Sequence, residues 1–218
     1  FHEGIESMVK ETKKISEVLG IYIPEINLGG GFGVYYTDKD TAIDVEQFMK
    51  SMIEHLERSL EAEKMKLKKV SIEPGRSIVA NAGSTLYTVG GTKTTYGGVK
   101  YIFIDGGMTD NIRPALYQAE YEAVVANKIN EPAEDVVTIA GKCCESGDLI
   151  IKNGKLAKAE TGDLILVATT GAYGYSMSNN YNKAPKPAVV FVKDGKSALS
   201  IKRESLEDLV RNDVLIDI

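Results

Sequence analysis

The sequence predicts an α/β segment followed by an all-β domain, and three observations carry that reading. Up to about residue 81, apolar residues at helical spacing alternate with short apolar runs of strand length. A run of glycines, Gly29-Gly30-Gly31-Phe32-Gly33, follows directly on the first of those runs. After about Asn81 the helical period disappears, and short strand-like segments separated by turn signals take over.

Ile5, Met8, Val9, Thr12, Ile15, Val18 and Leu19 recur at helical spacing, and Gly20 supplies the stop. The short strand Ile26-Asn27-Leu28 leads into the glycine run. Asp44 is placed to N-cap a second helix, with Gln47 at N3 and Ile43 and Phe48 at the staple positions. That helix shows Phe48, Met52, Leu56 and Leu60 on one face. Val70-Ser71-Ile72-Glu73 reads as the next strand, and Pro74 forces Glu73 into an extended conformation. Helix, strand, helix, strand is the tail of a β/α barrel, assigned to residues 1–81. Residues 82–218 read as an antiparallel β-sandwich or β-barrel domain. Its strands are Thr85–Val89, Lys100–Asp105, Val136–Ala140, Leu164–Ala168 and Ala188–Val192. Asn153-Gly154 and Asp194-Gly195 are hairpin signals, and a short helix is expected near Ser205–Val210.

Composition excludes several functions. Twenty-six basic against 31 acidic residues leave a net charge of −5, which is no nucleic-acid footprint. The one basic stretch, Lys64–Lys69, closes a helix and suits a solvated face. No apolar run approaches the ~20 residues that span a bilayer, and no signal peptide opens the chain, so a soluble protein is expected. Cys143 and Cys144 are adjacent in sequence. Trans-linked neighbours lie about 3.8 Å apart at Cα, too close for an ordinary disulfide, so a reducing, cytoplasmic setting is expected. With two histidines, His2 and His55, and no C-x-x-C pair, zinc is not expected.

The glycine loop and a second motif carry the chemistry. Glycines after a strand let backbone N–H groups approach an anion, so Gly29, Gly30, Gly31 and Gly33 read as a phosphate cradle. Neither rival motif fits. A dinucleotide fingerprint would need glycine where Val34 or Tyr36 stands, and no P-loop Gly-Lys-Ser/Thr is present. Glu73-Pro74-Gly75-Arg76 then offers a carboxylate for a ring nitrogen and a guanidinium for a phosphate or carboxylate. A phosphate, a basic ring nitrogen and an acidic substrate together point to pyridoxal phosphate. The bland alternatives are a ligand-free strand-to-helix turn for the loop and a surface ion pair for Glu73 or Arg76 taken alone.

Further motifs follow in order: Asp105-Gly106-Gly107-Met108-Thr109-Asp110-Asn111-Ile112-Arg113-Pro114-Ala115-Leu116-Tyr117, then Cys143-Cys144-Glu145-Ser146-Gly147-Asp148, then Gly171-Ala172-Tyr173-Gly174-Tyr175. The ordered set resembles the diaminopimelate decarboxylases, fold-type III pyridoxal-phosphate enzymes of the alanine-racemase-like group, over nearly the whole chain. Arg-Pro-Ala-Leu-Tyr and Cys-Glu-Ser-Gly-Asp are the most discriminating pieces, because related ornithine and arginine decarboxylases share the glycine loop and Glu-Pro-Gly-Arg more widely.

The resemblance implies decarboxylation of meso-2,6-diaminopimelate to L-lysine and CO₂ at sites shared across a homodimer. It implies that Gly29, Gly30, Gly31 and Gly33 hold the cofactor phosphate and that Glu73 faces the pyridine nitrogen. Gly75, Arg76 and Tyr173 would contact cofactor or substrate. Arg113 and Tyr117, four apart on a helical turn begun at Pro114, would clamp the distal carboxylate end. Cys144 would return a proton to Cα, and Glu145 would bind the distal ammonium, both reaching in from the second subunit. For Cys144 alone, a small buried hydrophobe is the plain reading; for Arg113 and Tyr117, a packing contact; for Tyr173, a loop tyrosine. Cys143 is read as packing. The family barrel has eight β/α units and this chain about two. The lysine that carries the cofactor and the histidine that stacks on it would lie upstream, with His2 only a helix-start residue. The missing half is therefore an expected partner, and the chain alone is expected to be inactive. Two other functions stay open: a related decarboxylase of ornithine, arginine or carboxynorspermidine, which would have no use for Arg113, and a non-catalytic β-rich dimerisation fragment.

Overall fold

The computed structural model describes residues 1–41 and 43–216, which divide into two units. The first comprises Phe1–Tyr35 and Asp40–Ile78, the second Tyr36–Lys39 and Val79–Ile218.

In the first unit, helix α1 (His2–Leu19) leads to strand β1 (Glu25–Asn27), and α2 (Val45–Ala62) leads to β2 (Lys69–Ser71). The two strands pair in parallel, with Ile26 opposite Val70. Gly20 ends α1 in the left-handed region at φ 65°, and its N–H returns to the Ser16 carbonyl, a glycine C-cap. Asp44 caps α2 as expected, its carboxylate accepting from the Gln47 N–H at 3.0 Å. The core joins Ile5 and Val9 of α1 to Met52 and Leu56 of α2, with Ile26 and Phe32. The apolar stripe of α1 is only partly used, since Ile15, Val18 and Leu19 stay exposed.

The second unit is built on a six-stranded sheet. Its strands are β3 (Thr85–Thr94), β4 (Lys100–Ile104), β5 (Ala123–Val125), β6 (Asp135–Ala140), β7 (Leu149–Leu156) and β8 (Leu164–Val167), in the order β5-β8-β3-β4-β6-β7. The edge strands β5 and β7 approach each other, so the sheet curls into a nearly closed barrel. Alternate residues fill its interior, among them Val89, Ile102, Ile104, Val137, Ile139, Ile165 and Val167. A separate hairpin, β9 (Val189–Lys193) with β10 (Lys196–Ile201), turns through Asp194 and Gly195, both at positive φ. Short helices are α3 (Gly75–Val79), α4 (Arg113–Tyr117), α5 (Gly174–Met177) and α6 (Leu206–Val210). The last starts from a capping box between Ser205 and Asp208.

Three features depart from the sequence expectations. The sheet is antiparallel except for β4 and β6, which run parallel. A parallel pair needs a crossover, and residues 105–134 form it, carrying α4 and β5. Asn153-Gly154 is not a hairpin turn. It lies inside β7, where the register against β6 slips and Asn153 takes φ 54°, as in a bulge. Alternation alone missed β5 and β7, and it ended β3 five residues early, before the register shift between Val89 and Gly91. Tyr36–Lys39 groups with the second unit, where Tyr36 packs against its core.

Asp163, at the start of β8, carries the clearest electrostatic signature. Lys128 Nζ lies 2.7 Å away, Asn127 Nδ2 donates at 2.8 Å and the Glu160 N–H at 2.7 Å, together holding its pKa down at about 2. A carboxylate with a depressed pKa stabilises the fold above its unfolded value and loses that contribution as pH falls. Acid titration of thermal stability should therefore show loss between about pH 4 and pH 2. Asp163→Asn should remove that component, and an identical acid profile in the variant would count against it.

Candidate active site

The candidate residues gather in three places, one in the first unit and two in the second.

In the first unit, the glycine loop leaves the C-terminal end of β1 beside Glu73, just beyond the end of β2. Functional groups collect at that end of β/α strands. Asn27 organises it: its Oδ1 accepts from the Gly29 N–H at 2.8 Å, and its Nδ2 donates to Glu73 Oε1 at 2.6 Å. The Glu73 N–H also donates to the Gly29 carbonyl at 2.8 Å. Gly29 and Gly31 take φ 72° and 86°, so a side chain would be strained at either. Gly30 packs so closely that a Cβ would stand 2.3 Å from the Glu73 carbonyl oxygen. The N–H groups of Gly30, Gly31 and Gly33 have no hydrogen-bond partner among the described residues. Donors without acceptors and an exposed carboxylate fit a phosphate and a protonated ring nitrogen. Arg76 lies in the first turn of α3, half-buried. No ion pair joins it to Glu73 among the described residues.

In the second unit, Arg113 opens α4 with Pro114 behind it in the first turn. Arg113 is only 9% exposed, while Tyr117 on the same helix is 60% exposed. Its hydrogen bonds go to residues the sequence did not single out. Nη1 donates to the Tyr36 hydroxyl at 2.8 Å and to the Tyr121 hydroxyl at 2.7 Å. The Tyr173 ring stands 5.7 Å from the guanidinium carbon, and Tyr173 itself sits at φ 64°. Gly171 lets that loop close, since a Cβ there would meet the Val79 carbonyl oxygen at 1.9 Å. Burial works against the Arg113 charge, but the Tyr121 and Tyr36 oxygens outweigh it and raise the pKa. Burial also pushes the Tyr121 hydroxyl up, against the pull of Arg113, so it stays neutral. The cluster is a buried positive charge that no carboxylate of the described residues answers.

The third place is the loop Cys143–Asp148. Cys144 and Glu145 are exposed, while Cys143 is partly covered. Burial, then the nearby Asp148 charge, raises the Cys143 thiol pKa. The Tyr181 hydroxyl donates to Glu145 Oε1, which raises the tyrosine's own pKa and keeps it protonated. Asp148 is the anchor. At 2% exposure, its Oδ1 accepts from the Met108 N–H at 2.6 Å and its Oδ2 from the Cys143 N–H at 2.8 Å. A Cβ on Gly107 or on Gly141 would strike that carboxylate at 2.4 or 2.2 Å. One side chain thus ties the Asp105–Met108 loop to the Cys143–Glu145 loop.

The model of the pyridoxal-dependent decarboxylase C-terminal sheet domain matches residues 22–171. The chain belongs to that family. Among the relatives, the chain is 51% identical to the diaminopimelate decarboxylase of Bacillus subtilis over 87% of its own length and 43% of that protein's. It is 46% identical to the diaminopimelate decarboxylase of Staphylococcus aureus over 97% of its length and 51% of the relative's. A crystal structure of the M. jannaschii diaminopimelate decarboxylase in complex with L-lysine superposes with a TM-score of 0.89 at 32% identity, covering 99% of this chain and 48% of that one. The chain spans about half the length of the relatives it matches.

Sequence reasoning missed Asn27, Tyr36, Tyr121 and Tyr181 and gave Asp148 no role. The signal for Asp148 was present in Gly107 and Gly141, both obliged to be small by one carboxylate. The tyrosines had no local signal, because each reaches its partner across the fold. Among the described residues no group of His, Cys, Asp or Glu is arranged to hold a metal, and no helix is long and apolar enough to cross a membrane.

Asp148→Asn replaces one accepting oxygen with an amine that opposes an N–H. The variant should lose about 1–3 kcal/mol, the cost of leaving a buried donor unpaired. Denaturant unfolding measures the loss, and amide exchange should show either Met108 or Cys143 deprotected. Unchanged stability and exchange would remove Asp148 from the anchoring role.

Proposed function

We propose that the complete protein decarboxylates meso-2,6-diaminopimelate to L-lysine and CO₂, with this chain supplying part of the site. The observation that carries the reading is Arg113. A guanidinium buried among neutral hydroxyls calls for an anion, and a substrate keeping a second carboxylate away from its reacting end supplies one. A decarboxylase of ornithine or another amino acid with a single carboxylate would have no use for it.

Pyridoxal phosphate, when bound, supplies the electron sink for loss of CO₂. The N–H groups of Gly30, Gly31 and Gly33 would hold its phosphate, with Gly29 shaping the turn. Glu73, oriented by Asn27, would keep the ring nitrogen protonated. Gly75 begins the turn that presents Arg76 to the phosphate side or to the reacting carboxylate. Tyr173 and Tyr117 border the substrate. The Cys144 thiol delivers a proton to the carbon that has lost CO₂, and Glu145, held by Tyr181, receives the distal ammonium. Cys144 and Glu145 lie on an exposed loop, which suits delivery into a partner subunit's site in a homodimer. The lysine that carries the cofactor would come from the half of the enzyme this chain does not include.

Two outcomes test the reading. In the complete enzyme, Arg113→Ala should reduce kcat/KM for diaminopimelate by the equivalent of ~1.5–3 kcal/mol, the range for hydrogen bonds to a charged group. The cofactor absorbance should be unchanged. An unaltered kcat/KM, or loss of the cofactor, would refute the distal-carboxylate role. This chain alone, incubated with pyridoxal phosphate and borohydride, should show no single stoichiometrically labelled lysine on peptide mapping. One such lysine would overturn the assignment of the carrier lysine to the missing half.

A further inference from the structure

Arg113 has five N–H donors in a fixed planar fork, two on each terminal nitrogen and one on Nε. Both hydrogens of Nη1 are already committed, one to the Tyr36 hydroxyl at 2.8 Å and one to the Tyr121 hydroxyl at 2.7 Å. Nε and Nη2 make no hydrogen bond to the described residues. A carboxylate gripped by two parallel N–H bonds can approach either the Nη1/Nη2 end or the Nε/Nη2 side. The end-on approach needs an Nη1 hydrogen and is closed. Only the side remains.

The fork is also held against rotation. The Tyr36 and Tyr121 rings meet edge-to-face, with centroids 5.3 Å apart at 88°, and the guanidinium carbon lies 5.3 and 5.9 Å from the two centroids. Tyr121 is 5% exposed and sits in the barrel core, which makes it a rigid post.

We infer that Tyr36 and Tyr121 are positioning residues that fix the Nε/Nη2 edge of Arg113 as the carboxylate-binding edge, and so set the site's preference for a carboxylate over a neutral amide. The inference rests on the proposed reading of Arg113. A carboxamide offers one acceptor and one donor, so its amine would oppose an N–H of a fork that cannot turn away. Without the hydroxyls the fork can rotate and tolerate the mismatch.

Decarboxylation removes the reacting carboxylate and leaves the distal one on the product, so L-lysine probes Arg113 directly. Cadaverine, which has no carboxylate, does not. The experiment is calorimetric binding of L-lysine, L-lysinamide and cadaverine to the complete holoenzyme and its Tyr36→Phe, Tyr121→Phe and doubly substituted variants. Removing both hydroxyls should weaken L-lysine about 5–20-fold, in line with two lost hydrogen bonds to a charged group. Cadaverine should stay within about twofold, and the ratio of lysine to lysinamide affinity should fall. The single variants, each lacking one oxygen, keep the test available if the double variant does not fold. Equal weakening of lysine and cadaverine would reveal a general packing effect and overturn the inference. So would unchanged lysine binding in the tyrosine variants where Arg113→Ala does weaken it. If Arg113→Ala itself leaves lysine binding intact, the proposed reading fails first and the tyrosine inference with it.

Discussion

The buried carboxylate of Asp148 is the contact on which the rest of the second unit's chemistry hangs. A charge at 2% exposure is tolerated only because backbone donors from two loops converge on it. In return, those loops cannot move independently. The Lys142 N–H donates to the Gly106 carbonyl, and the Asp148 carbonyl accepts from the Gly141 N–H, so the clamp is backed by main-chain bonds. The Cys144–Glu145 turn thereby projects from a fixed base while its own side chains stay exposed. The segment running on to Arg113 starts from the same base.

Arg113 follows the opposite electrostatic logic. Asp148 is neutralised by N–H dipoles and ends its business inside the protein. Arg113 has hydroxyl acceptors on one terminal nitrogen and keeps an unanswered positive charge. Such an arrangement costs stability unless an anion completes it. The parallel β4–β6 pairing makes this possible. It demands a long crossover, and that crossover places α4 and Tyr121 against the barrel, where a hairpin of two or three residues could not.

The first unit uses backbone rather than charge. Gly29, Gly30 and Gly31 hold a loop whose donors are left over, and Asn27 alone both braces that loop and aims Glu73. The proposed function assigns the cofactor's phosphate and pyridine nitrogen to this end. The two units carry complementary halves of the proposed chemistry: cofactor contacts in one, substrate and proton contacts in the other.

Local physics explains why much of this was legible in the sequence. Helix period, the Asp44 and Gly20 caps, the Asp194-Gly195 turn and the short helix near Ser205 depend on residues a few positions apart, so the letters suffice. The glycine loop, Glu-Pro-Gly-Arg and Arg-Pro-Ala-Leu-Tyr likewise stand in short stretches, and the chemistry proposed for them starts from those letters. The same locality misled at Asn153-Gly154, where a pair fit for a hairpin was drawn into a bulge by pairing with β6. What the tertiary structure alone decided is which side chains meet. Tyr36 reaches Arg113 across 77 positions and Asp148 reaches Met108 across 40, distances over which no periodicity or turn rule operates. Whether Arg113 met Tyr117 on its own helix or two tyrosines from elsewhere was settled by burial. Once α4 packed on the barrel, Arg113 faced the core and Tyr117 the solvent, and only hydroxyls already fixed in that core could satisfy a charge removed from water.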